Sequence, residues 1–284
     1  MAKSLFNRNS ASGAEMSFID HLEALRWHIF RSLLAVLIGA VVVFVYMDFF
    51  FGTIVMGPAN RTFITYRVLC GASHRLGLGD ALCLSDINLK LISTEMSSQF
   101  MMSFTIAFVG GFIIAFPFVF WEFWKFVKPA LTDKELGKTR GVIFWVSMLF
   151  FSGVSFGYFL IAPYTVNFFA AYTLSPLIQN TFTVSDYIDN IVSLVLGTGI
   201  VFQLPLVVFF LAKVGILSAS FLRKYRKFAV VIILVLAAVI TPPDIVSQLI
   251  VTVPLWLLYE ISISIAARVN KEDGNDNLSS EEWS

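Results

Sequence analysis

Two short stretches of this sequence carry most of its polar chemistry. The first, HLEALR at positions 21–26, offers Glu23 and Arg26 at the start of an amphipathic helix. The second, FWEFWKFVKPALTDKE at positions 120–135, mixes aromatic rings, lysines and carboxylates up to Glu135. Aromatic rings of this kind anchor helix ends at a membrane interface, and whether these rings also bind a ligand stays open. For Glu135 the residues alone favour an exposed ion pair, worth about 0–1 kcal/mol.

Motifs of the common enzyme classes are absent from the sequence. It contains no strand-linked glycine-rich phosphate loop, no His-Glu-x-x-His pair, no Cys-x-x-Cys and no Gly-x-Ser-x-Gly. The three histidines fall in segments predicted to lie on both sides of a membrane, so they do not form one metal site. A net charge of +1 gives no basic surplus for nucleic acid. We therefore expect that the protein is not an enzyme and that it binds no cofactor, no metal and no nucleic acid.

The composition assigns the chain to a membrane. Of its 284 residues, 57% are hydrophobic and 14% are charged, where roughly 25% charged is usual for soluble domains. Six apolar stretches predict helices at 32–46, 100–123, 142–162, 191–211, 228–240 and 246–266. Crossing a ~30 Å hydrocarbon core takes about 20 residues, and most of these stretches qualify. The fifth covers only about 20 Å, which leaves open both a plain short loop and local thinning of the bilayer.

The placement of lysine and arginine predicts the orientation. The segments 125–140 and 213–227 are strongly basic, whereas 163–187 contains neither Lys nor Arg. Because basic loops stay in the cytoplasm, six crossings with both termini inside follow. We predict an all-α, polytopic membrane protein with six transmembrane helices, forming a single domain over 1–284. Its parts include flexible cytoplasmic tails at 1–16 and 268–284 and a periplasmic loop or cap at 47–99.

A few polar groups lie within or beyond the spans. Gln203, two residues before Pro205 in the fourth stretch, is costly in lipid unless it faces protein or water. An interhelical hydrogen bond and a functional contact both remain open for it. In the outer turn near Gln248, we expect Asp244 first to cap the last helix and second to contact a partner. So few polar groups give little support for a transport site for a small solute.

Both cysteines of the chain, Cys70 and Cys83, lie in the long 47–99 loop. A loop exported to an oxidising compartment favours a disulfide between two such residues. Two reduced thiols without a role are the alternative.

Five motifs occur in one order and resemble a known family. They are HLEALR, Gly57-Pro58, FWKFVKPALTDKE, VFQLP at 201–205 and TPPDIVSQ at 241–248, and together they cover nearly the whole chain. Each is weak by itself, but the five in register resemble the TatC family, the receptor subunit of the twin-arginine protein translocase.

The resemblance implies both a fold and a function. It implies a concave bundle with short fifth and sixth helices, in the bacterial inner membrane, that binds twin-arginine signal peptides of folded cargo. Partners would be lipid, further copies in an oligomer and the single-span proteins TatA and TatB, with the proton-motive force driving export. By this resemblance, the residues that contact the signal peptide are Glu135, Phe126, Arg26 and Glu23. A carboxylate suits an arginine of the signal peptide because it can bind the planar guanidinium group through two hydrogen bonds. Pro58 carries over as a structural residue of the outer loop.

The sequence departs from the family pattern at two positions. The pattern HLxELR has Glu where this chain has Ala24, which puts a second carboxylate for the arginine pair in doubt. Many relatives have Glu where this chain has Gln203, so a proton carried at that position is disfavoured. A secondary transporter or channel and a structural assembly subunit remain as alternative functions.

Overall fold

The computed structural model describes residues 18–60, 62–75, 77, 90–127, 139–175, 177, 180–241 and 245–281. Three residues singled out in the sequence, Glu135, Asp244 and Cys83, lie outside these ranges, as does the predicted tail at 1–16. All structural statements below concern the described part of the chain.

Helices make up most of the described chain. In chain order they are α1 (Phe18–Val45), α2 (Met47–Phe49), α3 (Ile64–Arg75), α4 (Ser98–Val127), α5 (Thr139–Phe156), α6 (Ala162–Ala171), α7 (Val184–Val201), α8 (Leu204–Lys213), α9 (Ala219–Lys224), α10 (Arg226–Ile240) and α11 (Ile245–Glu281). Single π-helical turns occupy Phe50–Val55 and Gly157–Ile161, and a 3-10 turn occupies Gly57–Ala59. The strands are β1 (Leu91–Ile92) and β2 (Phe182–Thr183).

Five helical segments of the described chain are long and apolar enough to cross a membrane. They are Leu25–Val45, Ser98–Val127, Gly141–Ala171, Val184–Lys213 and Ser247–Val269. Each overlaps one of the predicted stretches, since a chain in lipid must satisfy its backbone polar groups within the helix. The fifth predicted stretch is helix α10, whose 15 residues cover about 22 Å and fall short of a full span. The prediction of a short fifth helix is therefore confirmed.

The last helix is longer than predicted. A short sixth helix was expected, but the apolar part of α11 spans 23 residues, Ser247–Val269. Helix α11 itself continues to Glu281, into the segment 268–284, whose flexibility stays a prediction. Continuation is favourable because extending an existing helix adds one hydrogen bond per residue without a new nucleation cost.

Helices α1 and α4 pack along each other at close range. A Cβ atom on Gly111 would lie 2.8 Å from Ala40 Cα, and one on Gly39 would lie 2.8 Å from the carbonyl oxygen of Gly111. Only glycine fits at such distances, so the two backbones approach as in other small-residue crossings of membrane helices.

The hydrophobic core has two parts. The main cluster includes the fully buried Ile188 and Leu194 of α7 and Leu255 of α11. A smaller cluster of Phe120, Trp124 and Val146 lies where α4 ends and α5 begins. The opposite end of the bundle is closed by the 47–75 segment. Strand β1 joins this end by pairing in parallel with β2, with Leu91 opposite Phe182. This contact between residues far apart in sequence is the exception to the all-helical prediction.

Candidate functional site

The candidate site lies where the first turns of α1 meet the last turns of α4. We call this region the charged rim and define it by Glu23, Arg26, His28, Arg31, Glu122, Lys125 and Phe126. Glu122 lies at its centre, with a side chain that is only 2% exposed. An isolated buried carboxylate would be strongly unfavourable, so its surroundings decide whether it is tolerated.

Three cationic or titratable groups surround the Glu122 carboxylate. His28 Nδ1 donates to Glu122 Oε2 at 2.6 Å, and Lys125 Nζ donates to Oε1 at 2.9 Å. Arg31 Nη1 lies 4.0 Å from Oε2. Each carboxylate oxygen thus has a donor, and His28 and Arg31 come from α1 while Lys125 comes from α4. Because breaking a buried ionic contact leaves an uncompensated charge, this cluster fastens the two helix ends together.

The outward part of the charged rim is accessible. Glu23 and Arg26 are exposed on α1. The Phe126 ring meets the His28 ring edge-on, with centroids 6.4 Å apart. The structure therefore brings Glu23, Arg26 and Phe126 to one end of the α1–α4 pair, while Glu135 lies outside the described residues. An exposed carboxylate and an aromatic ring at the same helix end are each suited to contact a cationic side chain.

The tryptophans of α4 have different environments. Lys125 Nζ lies 3.7 Å from the centroid of the Trp121 ring, which is 43% exposed, as expected for an interfacial aromatic residue. Trp124 is buried, and its ring centroid lies 5.5 Å from that of Phe210 on α8. One face of the α4 end is therefore fixed to α1 through Glu122, and another is fixed to α8 through Trp124.

Gln203 interrupts the fourth span between α7 and α8. Its Nε2 donates to the Val146 carbonyl oxygen of α5 at 3.3 Å, while its buried Oε1 has no hydrogen-bond partner in the described structure. Pro205 is buried in the first turn of α8, where its missing N–H costs no helical hydrogen bond. The interhelical hydrogen bond is thus present, and a partner contact at Gln203 stays a prediction.

Residues predicted at the opposite end act within the fold. Pro58 is buried, and its carbonyl oxygen accepts a hydrogen bond of 2.6 Å from the Tyr66 hydroxyl. Gln248 Nε2 donates to the Leu234 carbonyl oxygen at 3.2 Å and so links α11 to α10. Cys70 is disulfide-bonded, and its pairing with Cys83 stays a prediction because Cys83 lies outside the described residues.

Comparison with known proteins identifies the family. The sequence matches the model of the Sec-independent protein translocase protein (TatC) over residues 20–254. The TatC protein of Blattabacterium sp. subsp. Periplaneta americana is 40% identical over 263 residues, covering 91% of this chain and 97% of that protein. The TatC protein of Carboxydothermus hydrogenoformans is 32% identical over 262 residues, covering 91% and 96%. The chain belongs to the TatC family.

Solved structures agree with this assignment. Two crystal structures of the twin-arginine translocase receptor TatC superpose with TM-scores of 0.62 and 0.66 at 27% and 28% identity. They cover 88% and 87% of this chain, and the match extends over 99% of each of them. As a TatC family member, this chain is a multi-pass membrane component of a Sec-independent protein translocase.

Sequence reasoning missed the partnership of Glu122 with His28. The Glu122–Lys125 spacing of three residues on one helix was a usable signal, since such residues are neighbours on a helix surface. The contact with His28, 94 positions earlier, needs the packing of α1 on α4 and has no local signature.

Proposed function

We propose that this TatC family member is the receptor component of a twin-arginine translocase. In this proposal its cytoplasmic face binds the twin-arginine signal peptides of folded cargo. With TatA- and TatB-type single-span partners, it mediates export driven by the proton-motive force across the bacterial inner membrane.

The observation that carries the proposal is the gathering of two family motifs at the charged rim. HLEALR at the start of α1 and the aromatic segment at the end of α4 are far apart in sequence, and Glu122 holds them together through His28. Glu23, Arg26 and Phe126 are thereby close to the start of the segment that contains Glu135. An arginine pair needs more than one acceptor, and Glu23 and Glu135 are the two carboxylates we assign to it.

The orientation is part of the proposal. We infer six crossings, N-in and C-in, with α10 as a short fifth crossing that thins the bilayer locally. Support comes from the described basic residues Lys125 and Lys213, because the ends of α4 and α8 that carry them pack together through Trp124 and Phe210. There, Arg226 of α10 contacts Glu260 of α11 at 2.7 Å, and the Tyr259 hydroxyl donates to the Leu222 carbonyl oxygen of α9 at 2.8 Å. Basic segments of this kind remain cytoplasmic.

We assign partner contacts to the membrane-embedded surface near Gln203 and oligomer formation to further copies of the chain. The family motif VFQLP, which contains Gln203, supports this assignment. The Gln203 Oε1 acceptor is buried in the single chain, so a partner helix has to displace its neighbours before it can donate to it. A small-solute site finds less support, since the Thr198 hydroxyl is already bonded to the Leu194 carbonyl oxygen at 2.7 Å.

The test replaces Glu135 by Ala in the full-length chain, in cells that lack their own TatC. We expect loss of export of a twin-arginine reporter protein and loss of crosslinking to its signal peptide. Glu95→Ala is the matched control, because Glu95 is an exposed carboxylate at the far end of the bundle. The control variant should export normally.

Two results would contradict the proposal. One is normal export and crosslinking by Glu135→Ala. The other is labelling of a cysteine at position 135 by a membrane-impermeant thiol reagent added from the periplasmic side. Uptake of a small solute into proteoliposomes that contain only this chain would favour the transporter instead.

A further inference from the structure

A groove of about 450 Å³ runs along the outside of the α1–α4 pair. Its walls are apolar side chains of both helices, namely Leu34, Ile38, Val42, Ile114 and Phe118. Its floor is made of small residues, Ala35, Gly39 and Ala115. Gly39 also lies where the two backbones approach closely, since a Cβ there would lie 2.8 Å from the carbonyl oxygen of Gly111.

The groove has one charged residue, Arg31, at its end nearest the charged rim. The Arg31 side chain is 55% exposed, and its ion-pair contact in the described structure is Glu122 at 4.0 Å. Both oxygens of Glu122 already accept shorter hydrogen bonds from His28 and Lys125. A guanidinium offers five N–H donors, so most of those of Arg31 are available to another acceptor.

The described charged groups near the groove have a net positive charge, which favours binding of an anion. Arg31 and Lys125 are two cations against the single carboxylate of Glu122. Glu23 and Arg26, the other charged members of the charged rim, balance each other. Among the described residues of the charged rim, one positive charge therefore remains, and Arg31 brings it to the groove, which suits one phosphodiester group.

The length of the groove favours a lipid over a partner helix as its occupant. From Arg31 to Val42 is 11 residues of α1, or about 17 Å along the helix axis. That is close to half of a ~30 Å hydrocarbon core, hence to one leaflet, whereas a transmembrane partner helix needs the whole thickness. A groove that begins at a cation and extends for one leaflet has the shape of a single phospholipid.

We propose that the α1–α4 groove is a binding site for an anionic phospholipid. Its phosphate accepts hydrogen bonds from Arg31, and one acyl chain lies over Ala35 and Gly39 between the apolar walls. The bound lipid fills the space beside the helix pair that carries the charged rim. This site shares Arg31 with the charged rim but includes none of the proposed signal-peptide contacts, so it does not depend on them.

The headgroup arm of the test measures lipid binding to the full-length chain in detergent by native mass spectrometry. The probes are phosphatidylglycerol and phosphatidylcholine with identical acyl chains. We expect wild type to prefer phosphatidylglycerol and Arg31→Gln to reduce its affinity for that lipid about fivefold. Arg223→Gln, which removes an exposed arginine of α9, is the matched control and should retain the preference.

The acyl-chain arm fills the groove with Ala35→Leu. We expect it to weaken binding of both lipids by a similar factor, because the added side chain occupies the floor. Ala238→Leu, at an exposed position of α10, is its control. Thermal unfolding of each variant in detergent identifies variants that fail to fold. The conservative variant Arg31→Lys, which keeps the charge, should retain most of the phosphatidylglycerol preference that Arg31→Gln loses.

Two outcomes would overturn the proposal. The first is an unchanged lipid preference in folded Arg31→Gln. The second is a cysteine at position 38 that crosslinks efficiently to another protein chain in native membranes, since a protein helix would then occupy the groove.

Discussion

The charged rim and the opposite end of the bundle each connect segments that are far apart in sequence, but with different chemistry. His28 and Glu122 are 94 positions apart, whereas the pairs Ile54–Tyr158 and Val55–Tyr187 are 104 and 132 positions apart and Tyr66 bonds locally to Pro58. The charged rim does so with one carboxylate, Glu122, shared among His28, Lys125 and Arg31. The opposite end, which we call the tyrosine cap, uses the neutral hydroxyls of Tyr66, Tyr158 and Tyr187. These hydroxyls donate to the carbonyl oxygens of Pro58, Ile54 and Val55 at 2.6, 2.7 and 2.8 Å.

The difference indicates which end is able to exchange partners. The cationic or titratable groups around Glu122 are partly exposed, at 20% for His28, 37% for Lys125 and 55% for Arg31. Arg31 lies 4.0 Å from a carboxylate whose two oxygens already accept shorter hydrogen bonds, so it can turn toward water or a new anion at modest cost. The tyrosine cap binds backbone carbonyls, whose positions are set by the chain itself. Gly57 is part of this arrangement, because a Cβ there would lie 2.6 Å from the Tyr158 hydroxyl. We infer an adaptable charged rim on a fixed cap.

The largest effect is expected from Glu122→Ala. Removing the buried carboxylate leaves three cationic or titratable groups without a common partner, so we expect a loss of about 2 kcal/mol in the free energy of unfolding. Denaturant unfolding in detergent micelles measures it. Glu122→Gln, which keeps the shape but loses the charge, should lose less. A loss below about 0.5 kcal/mol, typical of an exposed surface site, would show that the cluster does not fasten the helices.

A smaller effect is expected from Tyr187→Phe in the tyrosine cap. The variant leaves the Val55 carbonyl oxygen without its donor, which should cost about 1 kcal/mol. This loss should be the same at low and high salt, whereas part of the Glu122 effect should decrease with added salt because salt screens charges. Equal salt dependence of the two variants would remove the distinction between the two ends.

The smallest effect concerns alkaline pH. Burial raises the pKa of Tyr66 above its ordinary value of 10.0. The unfolded chain therefore loses this proton first, so the stabilising contribution is complete below pH 10 and decreases as the pH rises further. Tyr66→Phe should flatten the decline in unfolding free energy between pH 9 and pH 11 by up to about 1 kcal/mol. An unchanged slope would mean that Tyr66 is accessible to solvent.

The long helices were predictable from the sequence because lipid imposes a simple rule. Every backbone polar group must be bonded within the segment, so a run of apolar residues is sufficient to predict a helix. The short α10 was predictable for the same reason. The break at Gln203 has a local cause, because Pro205 lacks the N–H that would continue the helix. The π-helical turn at Gly157–Ile161 was not predicted from the sequence.

The candidate site was only partly predictable. Glu23, Arg26 and Phe126 were found through motifs that depend on local order in the chain. Glu122 lies one residue before the motif FWKFVKPALTDKE, and its role depends on His28 and Arg31, which only the crossing of α1 and α4 brings near. Likewise, the groove beside Arg31 is lined by residues of α1 and α4, which are far apart in sequence.

The sequence by itself determined the solvent, the helices and the family of this protein, since apolar runs, loop charges and ordered motifs are properties of the chain read in one direction. The tertiary structure alone decided which carboxylate is buried, which cation remains available and where the helix pair leaves a groove. Those features depend on contacts between residues far apart in sequence, and such contacts form only when the helices pack.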